Sequence, residues 1–248
     1  DKTKLSAEQN TLLTKEYKSF IRNGANLDTA SKEKLRVIDT QLGKLSLTFG
    51  EHVLADTQAF SLHIEKEEDL SGLPPSVIEM AAEEASRRDK KGWVFTLDYP
   101  SYIPFMTYAE NRELRKKLSL AFGQRGFQMN SQNNTDLILE LVKLRKERAQ
   151  LLGYPSHAAF ILEERMAQSE QNVKSFLDEL ATKAKPAAQK EWEIMESFAS
   201  KKLGLDQLEK WDTAYVAEKL KQAELDLDEQ QLKPYFPLNQ VLQGLFEI

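Results

Sequence analysis

The sequence predicts a mainly α protein, a multi-helix array with one short antiparallel β-strand pair. Three observations predict it. Glycine and proline are scarce, at 10 and 8 of 248 residues, so helix breakers are few. Apolar residues recur at intervals of three and four along most of the chain, the signature of amphipathic helices. Only two short runs, at about 59–64 and 93–97, switch to alternation and read as strands.

The first helix opens at Ser6, where Gln9 three positions on completes a capping box, and stops at Gly24. Leu12, Leu13, Tyr17, Phe20 and Ile21 form its apolar stripe. Asp28 or Ser31 caps a long second helix through Leu35, Ile38, Leu42, Leu45, Phe49 and Val53, and the two helices read as an αα-hairpin. The run 59–64 (AFSLHI) puts Phe60, Leu62 and Ile64 on one face of a strand and His63 on the other. Pro74 and Pro75 open a helix to about Arg88 with Val77, Ile78, Met80 and Ala81 inside. The run 93–97 pairs with the first strand, since a lone strand would leave its backbone groups without partners.

Leu97 closes the second strand, a Pro-punctuated entry leads into a short aromatic helix, and another helix begins near Asn111. Leu137, Ile138, Leu141, Leu144 and Leu152 line a helix that stops at Gly153, with Pro155 beyond. Gly153 is expected at φ > 0, so Gly153→Ala should cost roughly 1 kcal/mol. Ser156 opens a short helix to about Met166. Ser169 caps a long one carrying Val173, Phe176, Leu177, Leu180, Ala184, Met195 and Phe198, which Pro186 should kink or split. Asp212 reads as a cap flanked by a Trp211–Val216 staple, and residues 228–231 offer a further cap-like start ahead of 233–237 (KPYFP).

At 248 residues with 41% apolar content, the chain can bury a sizeable core as one large domain or two small ones. A net charge of −5 lacks the basic footprint of a nucleic-acid binder. No run approaches the roughly 18 apolar residues of a membrane span. With no cysteine there is no disulfide, thiolate ligand or cysteine nucleophile. The absent initiator Met and the apolar end at 242–248 (LQGLFEI) read as a fragment of something longer.

The residues that could carry chemistry are few. A zinc site wants closely spaced His, Cys or carboxylate ligands, commonly two histidines four apart on a helix. His52, His63 and His157 have no such spacing. His157 and Glu164, seven apart, could share a helix face, but a lone core histidine is the more economical reading. The acidic stretch Glu65, Glu67, Glu68 and Asp69 and the pair Glu163–Glu164 read as solvated faces, because acid–base work needs an environment that shifts one carboxylate. The segment 123–126 (GQRG) lacks the Lys-Ser/Thr ending of a phosphate loop, and no G-x-S-x-G elbow occurs. Tyr99, Tyr102, Phe105 and Tyr108 either line a peptide groove or fill the core beside the strand pair; the spacing of the last three favours the core. Arg112 and Arg115 are expected to pair with Glu110 or Glu113. These readings leave the catalytic and metal-ligand sets empty and the substrate-binding residues undefined.

Three stretches carry a family resemblance. Residues 97–118 (LDYPSYIPFMTYAENRELRKKL) resemble a signature segment of the thimet-oligopeptidase-like zinc peptidases, closest to the peptidyl-dipeptidase (dipeptidyl carboxypeptidase) branch. Residues 148–160 (RAQLLGYPSHAAF), followed by 164–169 (ERMAQS), look like a second hallmark. Residues 225–242 (LDLDEQQLKPYFPLNQVL) resemble the segment leading into the catalytic half. Three separated motifs in one order argue against chance.

The resemblance implies a helical body around a deep channel. It also implies a zinc ion held by two histidines of an H-E-x-x-H helix and a later glutamate, with the motif glutamate acting on zinc-bound water. The branch implies release of dipeptides from free C-termini of oligopeptides. No residue here matches a zinc ligand or that glutamate, so the expectation is zinc in the full-length enzyme and none in this portion. Residues 1–248 are expected to be a single helical scaffold and channel-wall portion, inactive alone, with about 206–248 leading toward the missing catalytic region. That catalytic half would be its partner, with no nucleic acid or membrane involved. The compartment implied is the cytoplasm, the bacterial periplasm being the alternative. Two other functions fit the residues: a stand-alone helical peptide- or protein-binding module, and a portion of an oligoendopeptidase cutting internal bonds.

Overall fold

The computed structural model describes residues 5–226, 232 and 234–247. Among the described residues are ten α-helices and one two-stranded antiparallel sheet, the predicted fold class. They group into two compact units, each taken by itself below. One comprises the described residues up to Leu54 and Gly126–Ala184; the other comprises Ala55–Arg125 and the described residues from Lys185 on.

In the first unit, α1 (Ala7–Arg22) starts with both halves of the Ser6–Gln9 capping box. Its stripe is not buried: Leu12, Tyr17 and Phe20 stay more than half exposed. Helix α2 (Thr29–Ala59) is capped by Asp28, whose carboxylate accepts from the Ser31 N–H at 3.0 Å. Leu35 and Ile38 supply its buried face, and Leu141, Leu144 and Ala149 that of α6 (Thr135–Leu151). Gly153 ends α6 at φ +86° as expected. Ser156 caps α7, which runs only over His157–Leu162, four residues short of the expected Met166. Ser169 receives the Asn172 N–H at 3.1 Å ahead of α8 (Glu170–Phe198), which continues as one helix through Pro186. The unit boundary falls between Ala184 and Lys185, next to that proline.

The second unit holds the larger core. Because α2 extends to Ala59, β1 shortens to Leu62–Ile64 and pairs with β2 (Trp93–Phe95) in the register Leu62–Phe95, His63–Val94 and Ile64–Trp93. The expected strands at 59–64 and 93–97 are each trimmed at one end, the first at its start and the second at its close. Leu62 and Ile64 point into a cluster with Leu70, Leu73, Val77, Ala81, Phe95 and Leu97. Helix α3 (Pro75–Arg87) buries Val77 and Ala81, but Met80, expected inside, is 44% exposed. Helices α4 (Tyr99–Tyr108) and α5 (Arg112–Gly123) close the cluster through Phe105, Met106 and Leu118.

A second, smaller cluster joins Ala199 and Leu208 to Tyr215 and Val216 of α9 (Thr213–Leu225). It lies beside a π-helical turn, Ala199–Leu203. Trp211 packs on the larger cluster and Val216 in the smaller one, so the staple pair divides between them. Helix α10 (Leu238–Phe246) closes the described chain. The cap-like residues 228–231 lie outside the described residues.

Candidate functional site

The aromatic segment is built by local chemistry. The Thr96 N–H donates to Ser101 Oγ at 3.0 Å, and Thr96 Oγ1 donates to Asp98 at 3.0 Å, folding the exit of β2 onto the first turn of α4. Pro100 sits in that first turn, where its missing N–H costs nothing. Past α4, Asn111 caps α5 by accepting the Leu114 N–H at 3.2 Å, while its side-chain amide donates to Asp69 at 2.7 Å.

Phe105 is fully buried and meets Phe95 edge-on at 4.6 Å. Tyr102 stacks on Phe122 at 4.1 Å. Burial raises the Tyr102 hydroxyl above its ordinary value against the opposing pull of its Ser119 hydrogen bond. Tyr108 also packs on the cluster, so the last three rings of the series are core. Tyr99 differs: it is 67% exposed.

Between α3, the end of β2 and the start of α4 lies a cavity of about 230 Å³. Its floor is Val77, Ala81 and Val94, and Glu84, Arg87 and Asp98 stand on its rim. Arg87 lies 3.4 Å from Glu84, so those two charges answer one another. A small apolar group fits this shape; Thr96 and Ser101 also line it, with their hydroxyls already engaged in the bonds that fold the exit of β2.

The three histidines stand in separate surroundings. His52 Nδ1 is 2.8 Å from Asn134 Oδ1, and buried Asn134 donates to the Phe49 carbonyl at 3.4 Å. His63 Nε2 is 2.6 Å from the Lys91 carbonyl, which can only accept, so that nitrogen carries the proton. Nδ1 of His157 is buried with no hydrogen-bond partner. Burial, then the charges of Arg145 and Arg148, hold its imidazole below the usual histidine range. Helix α7 ends at Leu162, so His157 and Glu164 do not share a helix face; Glu164 pairs with Lys18 instead. Glu163 accepts from the Tyr154 hydroxyl at 2.7 Å and pairs with Arg22; the Tyr154 bond, followed by Arg22 and Lys18, draws its carboxyl down against burial. Among the described residues no three His, Asp or Glu side chains stand close enough to hold a metal ion. The described residues do not fit a zinc site.

The arginines depart from expectation. Neither pairs with Glu110 or Glu113 through its guanidinium; both converge on Asp212. Arg112 approaches it with Nε at 3.0 Å and Nη2 at 2.6 Å, and Arg115 with Nη2 at 2.9 Å. Arg115 also donates to the carbonyls of Ala109, Glu110 and Trp211 and lies over the Tyr215 ring at 4.1 Å. Asp212 stands at the start of α9, but its side chain makes no capping bond to that helix. Burial would raise its carboxyl; the hydrogen bonds from Arg112, Arg115 and the Glu209 N–H outweigh that and hold it below the ordinary carboxylate value. Two cations three residues apart on one helix face were the only sequence signal for this cluster. Nothing in the sequence pointed to an acid about a hundred positions on.

The fold and its aromatic segment define a helix-rich scaffold class. The chain belongs to peptidase family M3, whose family model matches residues 105–248 and whose members are zinc metallopeptidases. It is 34% identical to oligopeptidase A of Haemophilus influenzae over 247 residues, covering 98% of this chain and 36% of that protein. It is 34% identical over 248 residues to oligopeptidase A of Escherichia coli. It is 31% identical over 245 residues to dipeptidyl carboxypeptidase of Escherichia coli, covering 98% of this chain and 36% of that protein. The chain thus spans about a third of the length of the curated relatives it matches. Among the described residues no helix is long and apolar enough to cross a membrane.

Proposed function

We propose that this chain is a non-catalytic helical portion of a zinc metallopeptidase acting on oligopeptides, in which residues 1–248 serve together as scaffold and channel wall. The observation that carries the reading is the match to peptidase family M3 over residues 105–248 in a sequence with no H-E-x-x-H motif. Zinc would then be held by polypeptide beyond these residues, with about 206–248 leading toward it. That polypeptide and the oligopeptide are the partners, and a cytoplasmic setting goes with this reading.

Release of C-terminal dipeptides is the finer version suggested by the motifs. The oligopeptidase A relatives stand slightly above dipeptidyl carboxypeptidase in identity, which favours carrying internal cleavage beside it. Peptides with amidated C-termini separate the two: an amide blocks dipeptide release and leaves internal cleavage intact.

The test of the main reading has two arms. The purified 248-residue chain, dialysed against zinc, should retain no stoichiometric metal and hydrolyse no peptide. The reading frame continued past Ile248 should encode H-E-x-x-H. Zinc-dependent hydrolysis by the 248 residues overturns the reading, and a stop codon at that point supports a stand-alone binding module.

A further inference from the structure

We infer that the apolar face of α10 is the seam on which the zinc-bearing polypeptide of the same protein docks, an inference that rests on the reading above. Helix α10 places Leu238, Val241, Leu242 and Leu245 at i, i+3, i+4 and i+7, the spacing of one helix face, with Phe246 adjoining. Such a face is ordinarily turned to a core. Here every residue of the helix is exposed, Leu238 by 70%, Leu245 by 62% and Phe246 by 85%. A contiguous apolar stripe of this kind marks a surface that another element covers.

The occupants can be told apart. An interfacial membrane helix carries Lys or Arg on its polar face, whereas that of α10 offers Asn239, Gln240 and Gln243. A peptide substrate is held in a concave site, and a lone helix presents a convex one. For a second copy of this chain, a nine-residue helix is about 14 Å long and by itself falls well short of the ~800 Å² per partner of a stable interface. Polypeptide of the same protein needs no such area, because covalent linkage supplies a high effective concentration. The family match runs through α10, and the relatives carry nearly two thirds of their length outside the matched region.

The test places Val241→Glu and Leu245→Glu together in the longer protein read through past residue 248, and in the 248-residue chain. In the longer protein the double variant should lose peptide hydrolysis and bound zinc, and a protease should cut near α10 that spares the unsubstituted protein. In the 248-residue chain the same variant should keep its circular dichroism and melting curve, because the face it changes is already in water. Full hydrolysis and unchanged proteolysis in the longer variant overturn the seam while leaving the peptidase reading intact. An unsubstituted longer protein without zinc-dependent hydrolysis overturns the reading itself. A destabilised 248-residue variant means the face packs within this chain, and loss of a dimer of that chain means the occupant is a second copy; either defeats the assignment.

Discussion

Arg115 donates from Nη2 to Oδ1 of Asp212 at 2.9 Å, and both side chains are buried, 1% and 0% exposed. Neither charge has water to fall back on. The remaining donors of Arg115 meet the carbonyls of Ala109, Glu110 and Trp211, so its guanidinium is answered by α4's C-terminal end, the start of α5 and the approach to α9. Arg112 supplies Asp212 with a second cation from the same face of α5. One acid thereby fixes the entry of α9 against the junction of two earlier helices within the second unit.

Removing one side of such a pair strands the other. Asp212→Leu, which leaves the buried Arg115 guanidinium without its counter-ion, should therefore destabilise the second unit by about 3–5 kcal/mol, the usual cost of leaving a buried ion uncompensated. Urea unfolding followed by circular dichroism reads it. The exposed pair Lys183–Glu179 is the contrast: Lys183→Ala should change stability by less than about 1 kcal/mol. Equal effects would mean that the Asp212 cluster is hydrated.

The pH dependence of Asp212 has a definite sign. Its folded carboxyl lies below the ordinary value, so the stability it contributes is fully present above the unfolded pKa of about 3.9. That contribution is lost as pH falls through the lower folded value. Asp212→Asn should consequently be less stable than the unsubstituted chain at pH 7, and the gap should close at pH values well below 4. A gap that persists undiminished into strong acid would assign the loss to shape, not charge.

Much of the fold was legible because its signals are local. The Ser6–Gln9 box, the Asp28 cap, the Gly153 stop and the strand alternation each act within a few residues. What the sequence hid is long-range. Asp212 has the residue type and position of a helix cap, and only the folded chain shows its carboxylate turned toward Arg112 and Arg115 instead. Pro186 does not split α8, which runs through it as one helix. The apolar stripe of α1 had the right period for burial, yet Leu12, Tyr17 and Phe20 remain exposed, since periodicity marks a face without naming what covers it. The lack of closely spaced histidines was legible at once, being a matter of composition.

His157 should titrate below the usual 6.5. Its Nδ1 is buried without a partner, and burial together with Arg145 and Arg148 disfavours the imidazolium; Asp39 offsets Arg148 by pairing with it at 2.6 Å. The unfolded chain takes up a proton near pH 6.5 and the folded chain only at lower pH. Stability thus holds above that value and declines as pH falls through the folded midpoint. His157→Phe should flatten this decline, and NMR of the imidazole should place the folded midpoint below that of a model peptide. A midpoint above 6.5 would show a carboxylate reaching the ring.

Asn134 ties the start of α6 to α2 and to the turn at Gly126: its side-chain Oδ1 faces His52 and its Nδ2 reaches the Phe49 carbonyl, both on α2, and its backbone N–H donates to the Gly126 carbonyl at 2.8 Å. Asn134→Leu keeps the backbone bond and strands the side-chain partners, so it should cost about 1–3 kcal/mol. Asn134→Ser, with a hydroxyl too short to serve both partners, should recover only part of that. Leucine and asparagine of equal stability would mean that water already serves His52.

Two glycines with the same backbone separate strain from crowding. Gly153 and Gly92 lie at φ +86° and +85°. A Cβ at 153 would meet nothing within 4 Å, whereas one at 92 would sit 2.3 Å from the Ile64 carbonyl oxygen in the β1–β2 pair. Gly153→Ala therefore carries backbone strain alone, roughly 1 kcal/mol. Gly92→Ala carries the same strain and must also push its neighbouring strand away, so its loss should be clearly larger. Hydrogen exchange adds a local readout: amides of Ile64 and Trp93 should lose protection in the Gly92 variant and keep it in the Gly153 variant. Equal losses from the two substitutions would show that the strand pair yields to the added methyl group at little cost.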